Sequence, residues 1–128
     1  LGLVGSEMCI RDSLKVCRLV TADGKPAIYC EDHVPCGLIK RPSEEADFTR
    51  PIFDFLREFC RVEAYMDLTE IRPAVADAHL AQLLCVQEGA PLLYMDEVDY
   101  DIEGTPVLYC AEYYVDGMVK HTVMRKRL

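Results

Sequence analysis

The chain of 128 residues has no apolar run of the roughly 18–20 residues that a membrane-spanning helix requires. It is also poor in basic residues, with 14 Lys and Arg against 22 Asp and Glu and a net charge of −8. Binding to a phosphate backbone needs a surface rich in Lys and Arg, so this charge argues against the chain wrapping DNA or RNA by itself. The length allows one domain at most. We therefore expect a single domain without membrane contact.

Sequence motifs of catalysis and nucleotide binding are missing. There is no G-x-S-x-G, no P-loop and no G-x-G-x-x-G after a strand. The three histidines, His33, His79 and His121, are far apart in the sequence, which is more typical of structural or solvated side chains. We predict no catalytic residue. A stand-alone enzyme stays an alternative, because a fold does not fix a function.

The seven cysteines do not form a metal or disulfide pattern. Their number is odd, no two of them make a C-x-x-C pair, and no histidine stands at ligand spacing. Several lie inside apolar segments. Reduced, buried thiols in a cytoplasmic protein explain this pattern better than a structural metal. We expect no metal and no cofactor.

Two similar hairpins organise the chain. Residues 91–101 and 107–115 are rich in β-formers, and Glu103-Gly104-Thr105-Pro106 between them predicts a turn. The same order of acid, Gly, x and Pro, followed by an aliphatic residue, Tyr and Cys, occurs at 23–30. We therefore predict two equivalent hairpins in one pseudo-symmetric sheet; the alternative is that turn composition alone produces the match. After Asp116-Gly117, a third strand is predicted at Met118–Met124.

The remaining elements predict an α+β fold with a mainly antiparallel sheet and helices on one side. Asp77 is a candidate N-cap, and Pro51 suits a first helical turn. The predicted elements are strands at 14–22, 26–35 and 62–71, helices at 51–60 and 78–85, and an irregular connection at 36–50.

Residues 1–13 are interpreted as an adapter or assembly artefact that precedes a domain at 14–128. Their segment EMCIRDS resembles the translation of a transposase end sequence used in sequencing adapters. It has the pattern of neither a helix nor a strand nor a cleavable signal. The alternative is a natural disordered leader.

Polar side chains alternate along the second strand of each predicted hairpin. Because successive side chains of a strand point to opposite faces, Cys110, Glu112 and Tyr114 share one face. Cys30 and Asp32 have the equivalent parity in the first hairpin, and Arg18 could join them from the strand before. Such a set suits a polar, anionic or sugar-like ligand. A polar face that is simply open to solvent is an equally good explanation from parity alone.

The sequence resembles the UTRA domain, the effector-binding module of the HutC branch of GntR-type bacterial regulators. Three stretches carry the resemblance: VCRLVTADGKPAIYCEDHVP at 16–35, EIRPAVADAHLAQLLCVQEGAPLL at 70–93, and DIEGTPVLYCAEYYVDG at 101–117, followed by V-x-R at 123–125. They follow in the family's order and spacing and together cover essentially all of 14–128.

The resemblance implies a chorismate-lyase-like fold that binds a small effector and acts on DNA only through an N-terminal winged helix-turn-helix. That domain, and the first strand of the UTRA domain, are expected to be missing from this chain. The family's ligand contacts fall here on Arg18, Cys30, Glu112 and Tyr114. Val20 replaces the family's second arginine, and Cys30 and Cys110 stand where Ser or Glu is common. We expect a repressor that forms a homodimer.

Overall fold

A six-stranded antiparallel sheet forms the centre of the computed structural model, with strand order β1-β2-β3-β6-β5-β4. The structure describes residues 2–10 and 12–127, and for residues 2–10 it describes the backbone alone. The strands are β1 (Gly2–Ile10), β2 (Ser13–Ala22), β3 (Lys25–Pro35), β4 (Met66–Val75), β5 (Pro91–Tyr100) and β6 (Pro106–Val115). The predicted α+β class is confirmed.

The two predicted hairpins, β2–β3 and β5–β6, are present and meet at the centre of the sheet through β3 and β6. Their turns contain Gly24 and Gly104, both at positive φ (76° and 83°), where a side chain would be strained. In the register of β3 with β6, Cys30 faces Glu112 and Asp32 faces Cys110. The two pairs are related by an approximate two-fold axis, so the predicted pseudo-symmetry is confirmed.

The two helical segments lie on opposite faces of the sheet, which corrects the prediction that both lie on one side. Helix α1 (Ile52–Phe55) continues into a π-helical turn at Leu56–Cys60. It packs on Leu14, Val16 and Val34. Helix α2 (Ala78–Leu84) packs instead on the face of Tyr29 and Leu19. Residues of opposite parity along β2 and β3 point to opposite faces, so an apolar layer on each face needs its own helix.

The helices are short. Among the described residues, none is long and apolar enough to cross a membrane. Between β3 and α1 the chain makes only two 3₁₀ turns, at Cys36–Leu38 and Ser43–Glu45, in agreement with the irregular connection predicted there.

The strand predicted at Met118–Met124 is wrong. Residues 118–127 have no regular strand structure. Both edges of β6 are already paired, one with β3 and the other with β5, so a segment that follows β6 through a tight turn has no free edge to join. In this segment the His121 ring packs edge-on against that of Tyr114, with the ring centroids 4.5 Å apart.

Two other strands differ from their predictions. The segment at 2–10 pairs with β2 as an edge strand although its sequence has no strand pattern, because main-chain hydrogen bonds to an open edge need no particular side chains. The interpretation of residues 1–13 as an artefact stays a prediction. Strand β4 lies four residues further along than 62–71 and includes Pro73, which an edge strand tolerates.

Helix α2 provides a test of the local sequence signals. The Asp77 side chain accepts a hydrogen bond from the backbone N–H of Leu80 at 2.8 Å, as predicted for an N-cap. We expect Asp77→Ala to lower the free energy of unfolding by about 1 kcal/mol. Asp77→Asn should lower it much less, because Asn caps a helix as well as Asp does. Urea denaturation measures both. An equal loss in the two variants would contradict the capping role.

Candidate functional site

All six residues predicted for the site lie on the α1 face of the sheet. Strand β2 contributes Arg18, which is opposite Cys30 in the register. The neighbouring positions of β3 and β6 supply the rest. This face is buried, since four members are at most 9% exposed: Cys30, Asp32, Cys110 and Tyr114. The alternative of a polar face open to solvent therefore does not describe it.

Arg18 and Asp32 form a buried ion pair. The Arg18 Nε lies 2.5 Å from Asp32 Oδ2, and the Asp32 side chain has no exposed surface. Burial raises the pKa of Asp32, and the charge of Arg18 only partly offsets this. Removing either partner would leave the other as an uncompensated buried charge. Arg18 thus serves an internal carboxylate first and is not a free anion-binding group.

Glu112 connects the second part of the site. Its Oε2 accepts a hydrogen bond of 2.8 Å from the Tyr114 hydroxyl and a weaker one of 3.9 Å from the Cys30 thiol. Burial and the Glu112 charge raise the pKa of Cys30 to about 12. Burial also raises the pKa values of the Tyr114 hydroxyl and the Cys110 thiol. These side chains stay neutral near pH 7, so they act as hydrogen-bond donors rather than as nucleophiles.

A small cavity of about 100 Å³ lies between this face and α1. Four predicted residues line it: Arg18, Asp32, Cys110 and Glu112. Cys30 and Tyr114 are not in its lining. Helix α1 covers the cavity with Ile52 and Phe53, which the sequence did not identify as site residues.

Glu97 of β5 belongs to the candidate site but was not predicted from the sequence. It lines the cavity and lies opposite Cys110, in the position that Arg18 takes opposite Cys30 in the first hairpin. Asp99, two residues further along β5, is 3% exposed. The turn at Glu103-Gly104 could have identified Glu97 from the sequence. A hairpin whose midpoint lies between these two residues pairs residue 97 with residue 110.

Acids outnumber bases around the cavity. Burial first, and then the charges of Asp99 and Glu112, raise the pKa of Glu97 to about 8. Burial and the neighbouring acids Asp67, Asp32 and Glu112 raise the pKa of Asp99 to about 6. Arg18 is the one cation among the described residues that line the cavity, so the face favours the uptake of protons or other positive charge.

The family model of the UTRA domain matches residues 11–119. The chain belongs to the UTRA-domain family. The match covers both hairpins, both helices and every residue of the site, and it confirms the resemblance on which the sequence analysis relied. No curated protein sequence matches this chain closely enough to count as a relative.

Solved structures show the same fold as this UTRA domain. The effector domain of PhnF from Mycobacterium smegmatis is 19% identical, with a TM-score of 0.83, and the match covers 98% of this chain and 87% of that one. The C-terminal domain of Yurk from Bacillus subtilis is 15% identical, with a TM-score of 0.80 over 88% and 78% of the two chains. A GntR-family regulator from Enterococcus faecalis is 17% identical, with a TM-score of 0.77 over 98% and 97%.

The raised carboxyl pKa values predict how stability depends on pH. Glu97 titrates near 8 in the folded domain against an ordinary value of 4.5, and Asp99 near 6 against 3.8. The folded state therefore binds more protons than the unfolded state in these intervals, and its free energy of unfolding falls as pH rises from about 4.5 to 8. Urea unfolding measured at several pH values should show this decline.

Glu97→Gln tests the source of the decline, because glutamine cannot lose a proton. We expect a clearly shallower decline above pH 6 in this variant. The matched control Glu70→Gln removes an exposed carboxylate of β4 that is paired with Arg72. It should keep the wild-type slope. Equal slopes in the wild type and Glu97→Gln would contradict the assignment.

Proposed function

We propose that this UTRA domain is the effector-sensing part of a bacterial transcriptional regulator, with the effector bound between the sheet and α1. One observation carries the proposal: a buried group of charged and hydrogen-bonding side chains lines a cavity on a domain of this family. A hydrophobic core has no need of these side chains, and burying them is costly unless they are paired. A ligand would use the hydrogen-bonding capacity that the fold leaves there.

The charges around the cavity indicate the chemistry of the effector. Arg18 is already neutralised by Asp32, whereas Glu97 and Glu112 have no ion pair within 4.0 Å among the described side chains. The geometry supports a polar effector that offers hydroxyl or ammonium donors to Glu97 and Glu112.

The size of the cavity links binding to movement. Small-molecule sites usually measure about 300–1,000 Å³, several times the volume found here. An effector of ordinary metabolite size therefore has to displace the covering side chains Ile52 and Phe53. Helix α1 has only four residues before its π-helical turn, and it follows an irregular connection. These features make α1 the element that differs between the free and bound states.

Movement of α1 would affect DNA binding by changing the position of the winged helix-turn-helix domain that the family resemblance implies. In a homodimer, an effector that prefers one position of α1 would select one spacing of two DNA-binding domains. We propose further that the regulator is a homodimeric repressor of the HutC branch. An enzyme is the less favoured alternative, because the thiols and Tyr114 are held neutral by raised pKa values.

The proposal is tested by a thermal-shift screen of hydroxylated, amino and carboxylated metabolites, followed by calorimetry on each hit. We expect Glu112→Gln to weaken effector binding by about 10- to 100-fold, because a hydrogen bond to a charged group contributes about 1.5–3 kcal/mol. Tyr114→Phe should give a smaller loss, since it removes the hydroxyl that holds Glu112.

The control variant is Glu31→Gln. Glu31 lies next to Asp32 on β3 but points to the opposite face, where it contacts Lys15 and Tyr29. Its substitution should leave effector affinity unchanged. A ligand that binds equally well to wild type, Glu112→Gln and Tyr114→Phe would show that the effector site lies elsewhere.

A further inference from the structure

Three carboxylates gather at the β4 side of the same sheet face. Asp67 of β4 is directly opposite Asp99 of β5, and Thr69 is opposite Glu97. Their side chains therefore leave the same face of the sheet. One oxygen from each of Asp67, Glu97 and Asp99 lies within 4.8 Å of the other two.

The three carboxylates repel one another unless a proton or a cation lies among them. Like charges directly opposite each other on neighbouring strands destabilise a sheet. Among the described side chains, no Lys, Arg or His lies within 4.0 Å of these three carboxylates. The nearby charges that act on Asp99 come from the acids Asp67, Asp32 and Glu112.

Asp99 adds a second, independent sign of a missing partner. Its side chain is buried, at 3% exposure, and its Oδ2 has no hydrogen-bond partner in the described part of the chain. A buried acceptor without a partner costs about 1–3 kcal/mol, and more when it is charged. The carboxylate that contains this oxygen faces Asp67 and Glu97. A cation between the three side chains would give the Asp99 carboxylate a further partner.

We propose that Asp67, Glu97 and Asp99 bind a hard divalent cation of the Ca²⁺ type. Such ions take oxygen ligands at about 2.3–2.6 Å, so two oxygens on opposite sides of one ion are separated by at most about 5.2 Å. The spacing of the three carboxylates falls within this limit. Asp99 is the buried ligand, and Asp67 is exposed, which leaves room for water to complete the coordination.

Thr69 supports the proposed site from outside. Its hydroxyl donates a hydrogen bond of 2.6 Å to Asp67 Oδ1, which restrains the carboxylate of a side chain on an edge strand. Glu97 belongs both to this site and to the cavity beside it. A cation here would offset the negative charge along one wall of that cavity, but its binding does not depend on any effector.

The test uses the 128-residue chain after treatment with a chelator. Calorimetric titration with Ca²⁺, and electron paramagnetic resonance with Mn²⁺ as a second probe, should each show one saturable site. Asp67→Asn should weaken binding at least about tenfold, the lower range for changes around a metal site. Glu70→Gln removes one carboxylate three residues along β4 from Asp67, on the opposite face, and should leave the affinity unchanged.

Folding of the variants is checked in the chelator. There Asp67→Asn should melt no lower than the wild type, because it relieves repulsion, and only the wild type and Glu70→Gln should gain melting temperature when Ca²⁺ is added. Two results would overturn the proposal. One is the lack of saturable binding up to about 1 mM cation, the upper end of natural calcium sites. The other is equal weakening by Asp67→Asn and Glu70→Gln.

Discussion

The pairing of β3 with β6 is the contact on which the rest of the structure depends. It joins two hairpins that are separated in the sequence by residues 36–90 and places Cys30, Asp32, Cys110 and Glu112 around one approximate axis. Because both edges of each inner strand are then occupied, every later element has to pack on a face or at an outer edge. The two helices accordingly lie on opposite faces, and the C-terminal segment cannot add a strand.

The same pairing concentrates acid in a buried place. Each hairpin contributes carboxylates to the α1 face, while only Arg18 contributes a positive charge to the cavity. Hydrophobic contacts under α1 stabilise one end of this face, where Leu56 and Val16 are fully buried. The polar end is stabilised far less well, as the raised pKa values of Glu97 and Asp99 show. A well-packed apolar region therefore lies next to a region of poorly balanced charge on the same face. Proteins commonly carry such local strain at candidate functional sites and offset it with stable packing elsewhere.

Much of this structure could be predicted from local signals. Turn residues located both hairpins, strand parity grouped the six site residues, and Asp77 marked the start of α2. Other features depend on tertiary contacts that parity does not report. Parity separates the two faces of the sheet but does not say which helix covers each face. The prediction that both helices lie on one side was therefore wrong. Glu97 was missed because its position opposite Cys110 follows only from the hairpin register.

The approximate two-fold axis relates positions but not charges. Arg18 and Glu97 occupy equivalent places, one opposite Cys30 and the other opposite Cys110, so a guanidinium on one side of the axis corresponds to a carboxylate on the other. Burial raises the pKa of Glu97, whereas Arg18 stays charged beside Asp32. The duplicated hairpin thus combines a backbone of nearly symmetric shape with an asymmetric distribution of charge.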